Sequence, residues 1–181
     1  MIRVLAARTR WAVLRSLLGD MTTLRTSKLG DLETVASWIQ SESACRLWCG
    51  ARVAYPIDLA SLPQAIEFDT SDSWTALSSG VRVAFGQIVP KPQGRLHLAR
   101  LIAAPERRGA GLGRLVARHL LEVAQSRNPS TISLNVFSEN EPALHLYKSL
   151  GFIAATRPPG EMDSPSMYME FSAPPGTPNS P

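Results

Sequence analysis

Apolar positions along this chain follow two rhythms, and the switches between them predict an alternating series of strands and helices. Thr23–Thr26 reads as a short strand. Leu32, Val35, Ala36 and Ile39 fall on one face and predict a helix over Asp31–Ser41. Leu59–Glu67 predicts a second short helix, with Pro63 near its start, where proline is tolerated. Ser73–Ser79 and Arg82–Val89 read as strands joined at Ser79-Gly80, a hairpin signal. After Gly94, Arg95–Ala103 reads as a third long strand. Leu112, Leu115, Val116, His119, Leu120 and Val123 line one side of a helix over Leu112–Arg127. Thr131–Phe137 is rich in β-branched and apolar residues, as strands are. Glu141–Leu150 then predicts a helix stopped by Gly151. Final strands fall near Phe152–Thr156 and Ser166–Phe171. A meander, then strand–helix–strand, then helix–strand–strand predicts an α/β fold, one mixed sheet flanked by helices.

The ends of the chain break these rhythms. Residues 1–20 are apolar and basic, with Arg3, Arg8, Arg10 and Arg15 against Asp20 alone. They are expected to be an extension outside the core. The arginines interrupt any apolar run, which argues against a signal peptide. The domain is expected over 21–171. Residues 172–181 are Pro-rich and polar and are expected to be a disordered tail.

Composition narrows the class. With 181 residues, 44% hydrophobic and 19% charged, one domain can bury its own core. The net charge of +4 lies mostly in the first twenty residues, so the body is nearly neutral. It carries no basic stripe with interleaved aromatics, so no nucleic-acid partner is expected. No apolar run of about 18 residues occurs, so no membrane span is expected. Cys45 and Cys49 are the chain's two cysteines, with no second Cys/His pair at ligand spacing. They read as free thiols in a reducing cytoplasm, and no metal is expected.

One turn carries chemistry. A strand ends at Pro105, and Arg107-Arg108-Gly109-Ala110-Gly111-Leu112-Gly113 leads into a helix followed by Arg114. The first amides of a helix lack intrahelical partners and sit at the positive end of its dipole. Glycines let the backbone approach an anion closely. The spacing is G-x-G-x-G, with no acidic residue about 20 positions on, so it is not a dinucleotide fingerprint. No G-K-S/T follows, so it is not a Walker loop.

A second segment, ISLNVFSENEPALHLYKSLGF, follows. R-x-x-G-x-G at Arg108, Gly111 and Gly113 is joined by N-x-x-A-x-x-L-Y-x-x-x-G-F at Asn140, Ala143, Leu146, Tyr147, Gly151 and Phe152. With both motifs in this order, the chain resembles the GNAT superfamily of acetyl-CoA-dependent N-acetyltransferases. The match runs from Leu96 to Phe152. The N-terminal half, which in that superfamily shapes the acceptor site, fits only loosely. The resemblance implies a sheet whose central parallel strands splay apart around acetyl-CoA. It implies that the backbone from Arg107 and Arg108 through Gly109, Ala110, Gly111, Leu112 and Gly113 to Arg114 holds the pyrophosphate. The strand at Leu98–Ile102, including Leu101 and Ile102, would bond the pantetheine arm through its main chain. Asn135, Asn140 and Ala143 would line the arm's other side, and Tyr147 would point at the thioester sulfur.

Acyl transfer to an amine needs a neutral nitrogen, a held oxyanion and often a proton for the leaving thiolate. A tyrosine hydroxyl suits that partial donation, so Tyr147 is the expected general acid. A main-chain amide of the splayed strand would hold the oxyanion. His97, fourteen residues before Gly111 where family bases occur, is the expected base. His119 is expected to be structural and His145 exposed. Arg95 and Arg100 could face the acceptor or solvent. Arg95 stands where ribosomal-protein N-terminal alanine acetyltransferases, which the strand–helix motif also resembles, carry a base carboxylate. Glu67, Asp69, Asp72, Glu161 and Asp163 are unranked candidates for holding an amine cation. Trp38, Trp48 and Tyr55 are candidates for lining the acceptor pocket. The expected acceptor is a small-molecule amine or a peptide N-terminus, served by a monomer or homodimer. A non-catalytic acyl-CoA-binding regulatory domain is the alternative.

Overall fold

The computed structural model describes residues 22–159, 161 and 164–172. The expected extension at 1–20, and the expected tail beyond Ser172, lie outside the described residues.

The strands are β1 (Thr22–Thr26), β2 (Asp72–Ser78), β3 (Val81–Lys91), β4 (Arg95–Ala103), β5 (Ile132–Val136), β6 (Phe152–Ala154) and β7 (Met167–Phe171). The helices are α1 (Asp31–Ser37), α2 (Glu42–Cys49), the single turn α3 (Leu62–Ala65), α4 (Leu112–Gln125) and α5 (Glu141–Ser149). The strands form one seven-stranded sheet in the order β1-β2-β3-β4-β5-β7-β6. Neighbours are antiparallel except for β4 and β5, which run parallel. This is the mixed sheet flanked by helices that the patterning predicts.

β3 explains why the sheet is covered on both sides. Its run Val83 to Val89 is buried throughout, without the alternation of a strand that has one wet face. On one face, Val116, Leu120 and Ala124 of α4 belong to a core with Ile88, Leu98, Leu134 and Phe152. On the other, Leu32 and Val35 of α1, Trp48 of α2 and Leu62 of α3 gather around Phe85. Gly86 lets α4 approach β3. A Cβ there would sit 2.8 Å from the Leu120 side chain and 3.0 Å from that of Val116.

The N-terminal helices differ from the predicted ones. The helix expected to run to Ser41 ends at Ser37, and Ser41 caps a second helix by accepting the Ala44 amide at 3.2 Å. Serine favours that position because its side chain satisfies an otherwise orphaned donor. The helix expected over Leu59–Glu67 forms only as α3. Asp31 fixes the start of α1 against the sheet. Burial pushes its pKa up, but Arg25, Arg82 and the Lys28 amide outweigh that and hold it below the ordinary carboxylate value.

Candidate active site

β4 and β5 pair at only three positions, Leu96↔Ile132, His97↔Ser133 and Leu98↔Leu134. Beyond Leu98, β4 runs on to Ala103 while Asn135 and Val136 pair only with β7. Among the described residues, one edge of β4 therefore has no strand partner over residues 99–103. A bulge makes the divergence possible. Gln87 faces Ala99 and Phe85 faces Ile102, so Arg100 and Leu101 together oppose Gly86. Arg100 takes φ +55°, a left-handed conformation that costs free energy for a side chain of its size. Two contacts hold it there. The Trp48 indole N–H donates to the Arg100 carbonyl at 2.8 Å, and the Arg100 guanidinium donates to Gln87 Oε1 at 3.0 Å.

A hollow of about 60 Å³ occupies the gap. Leu98–Leu101 line one side, Asn135, Asn140, Ala143 and Tyr147 the other, and Leu47 and Trp48 of α2 also line it. Asn140 is the N-cap of α5, accepting the Ala143 amide at 3.4 Å. Tyr147 is buried, and burial pushes its phenol up to about 12, so the hydroxyl keeps its proton. Ile102 packs with the α1–α3 core instead.

The glycine turn lies past the far end of β4. Gly109 and Gly111 have φ of +81° and +79°, a backbone that a side chain would strain. Gly111 is the N-cap of α4 and offers no side-chain cap, so the amides that open α4 have no partner within the helix. Arg107, Arg108, Gly109, Ala110 and Arg114 are exposed around it. Leu112 contributes only its backbone, because its side chain is in the core.

A cleft of about 1250 Å³ adjoins the hollow, and Leu47, Trp48, Leu98, Ala99, Arg100 and Asn135 line both. His97 lines this cleft. Its Nδ1 is 2.9 Å from Ser133 Oγ, and the Asn135 amide nitrogen is 3.4 Å from Nε2. Burial, then the positive charges of Lys91, Arg100, Arg157 and Arg52, push its pKa down to about 3. His97 is therefore neutral across the physiological range. His119 instead packs edge-on against Trp74, and His145 is exposed.

Of the acidic and aromatic candidates, all but Asp163 lie among the described residues. Glu67 meets both Arg52 and Arg100 at 3.4 Å, Glu161 meets Arg95 at 2.5 Å, and both glutamates line the cleft. Asp72 pairs with Arg127, Asp69 is exposed, and Asp163 lies outside the described residues. Trp48 and Tyr55 line the cleft, whereas Trp38 is core. Cys45 and Cys49 are free, 3.8 Å apart, and no cluster of three potential metal ligands occurs among the described residues. Sequence reasoning missed Trp48 as the anchor of the bulge and Arg157 as part of the cleft wall. Neither stands in a local motif.

The splayed parallel pair and the uncapped glycine turn are the features that the GNAT resemblance implies, and sequence comparison agrees. Residues 35–152 match the family model described as the acetyltransferase (GNAT) family. The chain belongs to that family. It is 38% identical over 58 residues to streptothricin acetyltransferase of Streptomyces lavendulae, covering 32% of this chain and 31% of that protein. It is 37% identical over 59 residues to the [ribosomal protein bS18]-alanine N-acetyltransferase of Escherichia coli K12, covering 33% and 40%. The matched stretches thus span less than half the length of these curated relatives. Among solved structures, AAC(6')-Ib in complex with ribostamycin and coenzyme A superposes with a TM-score of 0.66 at 22% identity, covering 84% of this chain and 94% of that one. Vibrio cholerae spermidine N-acetyltransferase, in complex with CoA and spermine, gives 0.64 at 19% identity, covering 82% and 92%. These likenesses establish the fold. No described helix is long and apolar enough to cross a membrane.

Proposed function

We propose that this protein is an N-acetyltransferase that moves an acetyl group from acetyl-CoA to a primary amine by direct attack in a ternary complex. The observation that carries the reading is the unpaired edge of β4, flanked by Tyr147 and leading to the uncapped turn at Gly111. The edge offers main-chain groups to an amide-rich arm, and the turn offers amides to a pyrophosphate. Arg107, Arg108 and Arg114 add charge beside it. Leu101, Asn135, Asn140 and Ala143 line the gap where the arm would lie.

The amine nitrogen bonds the carbonyl carbon, a β4 amide holds the oxyanion, and the C–S bond then breaks to release the thiolate. Tyr147 faces that sulfur. With a phenol near 12 and a thiol near ~8.5, complete transfer of its proton is uphill by about 5 kcal/mol. Its role is therefore to donate a hydrogen bond to the departing sulfur. His97 is too weak a base to deprotonate a free ammonium. It accepts a hydrogen bond from the attacking amine and relays a proton to water once the C–N bond has acidified the nitrogen.

The cleft accommodates a small molecule or a peptide N-terminus. Calorimetric binding of acetyl-CoA, followed by free-CoA release across an amine panel, tests the reading. A protein that binds no acetyl-CoA refutes it. Binding without turnover of any amine leaves the non-catalytic alternative in its place.

A further inference from the structure

We propose that the acceptor is a small amine that carries its own carboxylate within a few bonds of the reacting nitrogen, and that Arg157 receives the carboxylate. This rests on the acetyltransferase reading and adds the acceptor's charge to it.

The ground is the wall of the large cleft. Arg46, Arg52, Lys91, Arg95, Arg100 and Arg157 line it. Against them stand Glu42, Glu67 and Glu161, and Arg46 is also paired with Glu139. These acids are already committed or outnumbered: Glu67 serves two arginines, and Glu161 is bound by Arg95. Lys91 and Arg157 have no carboxylate partner among the described residues. An amine with several positive charges would meet net repulsion here, whereas a carboxylate would neutralise charge that the wall leaves unpaired.

The positive charge is not there to serve the pyrophosphate. His97 stands six residues before Ala103, so at ~3.3 Å per residue the Arg157 neighbourhood is about 20 Å from the strand end that leads to the glycine turn. The turn has exposed arginines of its own.

Arg157 is placed to act near the reacting atoms. Its guanidinium lies 5.5 Å from the centre of the Tyr168 ring, and Nη2 donates to the Ser166 carbonyl at 3.0 Å. Tyr168 is the cross-strand partner of Asn135, so the two side chains share a face of the sheet. Asn135 in turn contacts His97 on that face. The guanidinium is thus preorganised beside the Asn135–His97 pair, with N–H groups left over for a bidentate contact. Lys91, Arg100, Arg157 and Arg52 also lie near enough to His97 to depress its basicity after burial has done so.

The test uses the full chain and matched acceptors: the twenty amino acids, their carboxamides, and spermidine. Expected is turnover of one or more amino acids with kcat/KM at least tenfold above the carboxamide, and weak or no turnover of spermidine. In Arg157→Gln, KM for the preferred amino acid should rise roughly tenfold to hundredfold, as for loss of a charged hydrogen-bond pair. kcat and KM for the carboxamide should change little, and Arg157→Lys should restore part of the loss. Acetyl-CoA binding, measured in parallel, should be unchanged. Preference for spermidine or for carboxamides overturns the proposal, and so does equal damage to both members of a pair. Failure of every amino acid to react in a protein that binds acetyl-CoA also overturns it. Loss of acetyl-CoA binding in the unmodified protein instead removes the reading beneath it.

Discussion

The two ends of β4 are both cationic and are built in opposite ways. At the Ala103 end, positive charge comes from backbone amides at the start of α4 and from exposed arginines that no carboxylate claims among the described residues. At the Arg95 end it comes from side chains gathered out of β3, β4, the segment after α2 and the segment after β6, several of them half-buried. The first needs only a few consecutive residues and two positive φ angles. The second exists only once the sheet has closed. A site of the first kind can be shared across a family whatever the acceptor, and a site of the second kind can be changed one side chain at a time.

The sharpest way to break this contrast is Gly111→Glu. It places a carboxylate and a strained φ at the turn, and acetyl-CoA should no longer raise the melting temperature, whereas the unmodified protein gains stability by mass action. A full shift in a folded mutant would mean that the turn binds no phosphate. Next in size is Tyr147→Phe, which removes one hydroxyl between the two ends. Turnover should fall on the order of 10²–10³-fold, as for loss of one hydrogen-bond donor to developing charge, with acetyl-CoA affinity nearly constant. Unchanged turnover would leave Tyr147 as packing against Phe152.

A smaller effect belongs to His97 and appears in stability. Its folded pKa of about 3 lies below the ordinary 6.5, so between these values the unfolded chain takes up a proton that the folded chain refuses. Stability is fully present above pH 6.5 and falls with acidification toward pH 3. His97→Gln should flatten that fall by at most about 1.4 kcal/mol per pH unit, as read from urea melts at a series of pH values. The rate profile of the unmodified enzyme should show no break near 6.5 from this residue. Such a break, abolished in His97→Gln, would return His97 to the part of general base. The smallest effect expected is from starting the chain at Met21: solubility and acetyl-CoA affinity should not change.

The contrast between the ends of β4 is also a contrast in legibility. The limits of β4 and the start of α4 are visible in the sequence because Gly94 and the glycine turn punctuate a strongly apolar stretch. Tyr147 and Asn140 are visible because helix α5 presents them at fixed spacing from Gly151. The break between Ser37 and Ser41 was not visible, since Ile39 continues the apolar face although it belongs to the turn between two helices. The bulge at Arg100 carries no local signal, because a long charged residue is a poor candidate for positive φ and is held there by Trp48, 52 positions away in sequence. The cleft charge has the same origin. Lys91 looks like a solvated surface residue until β3 pairs it with Arg95 of β4, and Arg157 until β7 brings Tyr168 to it.

That single indole hydrogen bond has a further consequence. Trp48 sits between the hollow and the cleft, and its N–H fastens α2 to the strand position from which the gap opens. The hollow and the cleft therefore share a wall at Trp48. A molecule that shifts the ring from either side changes the room on the other, and linkage requires the influence to be equal in both directions. How far each of two substrates favours the other would then be written in the leverage of one tryptophan.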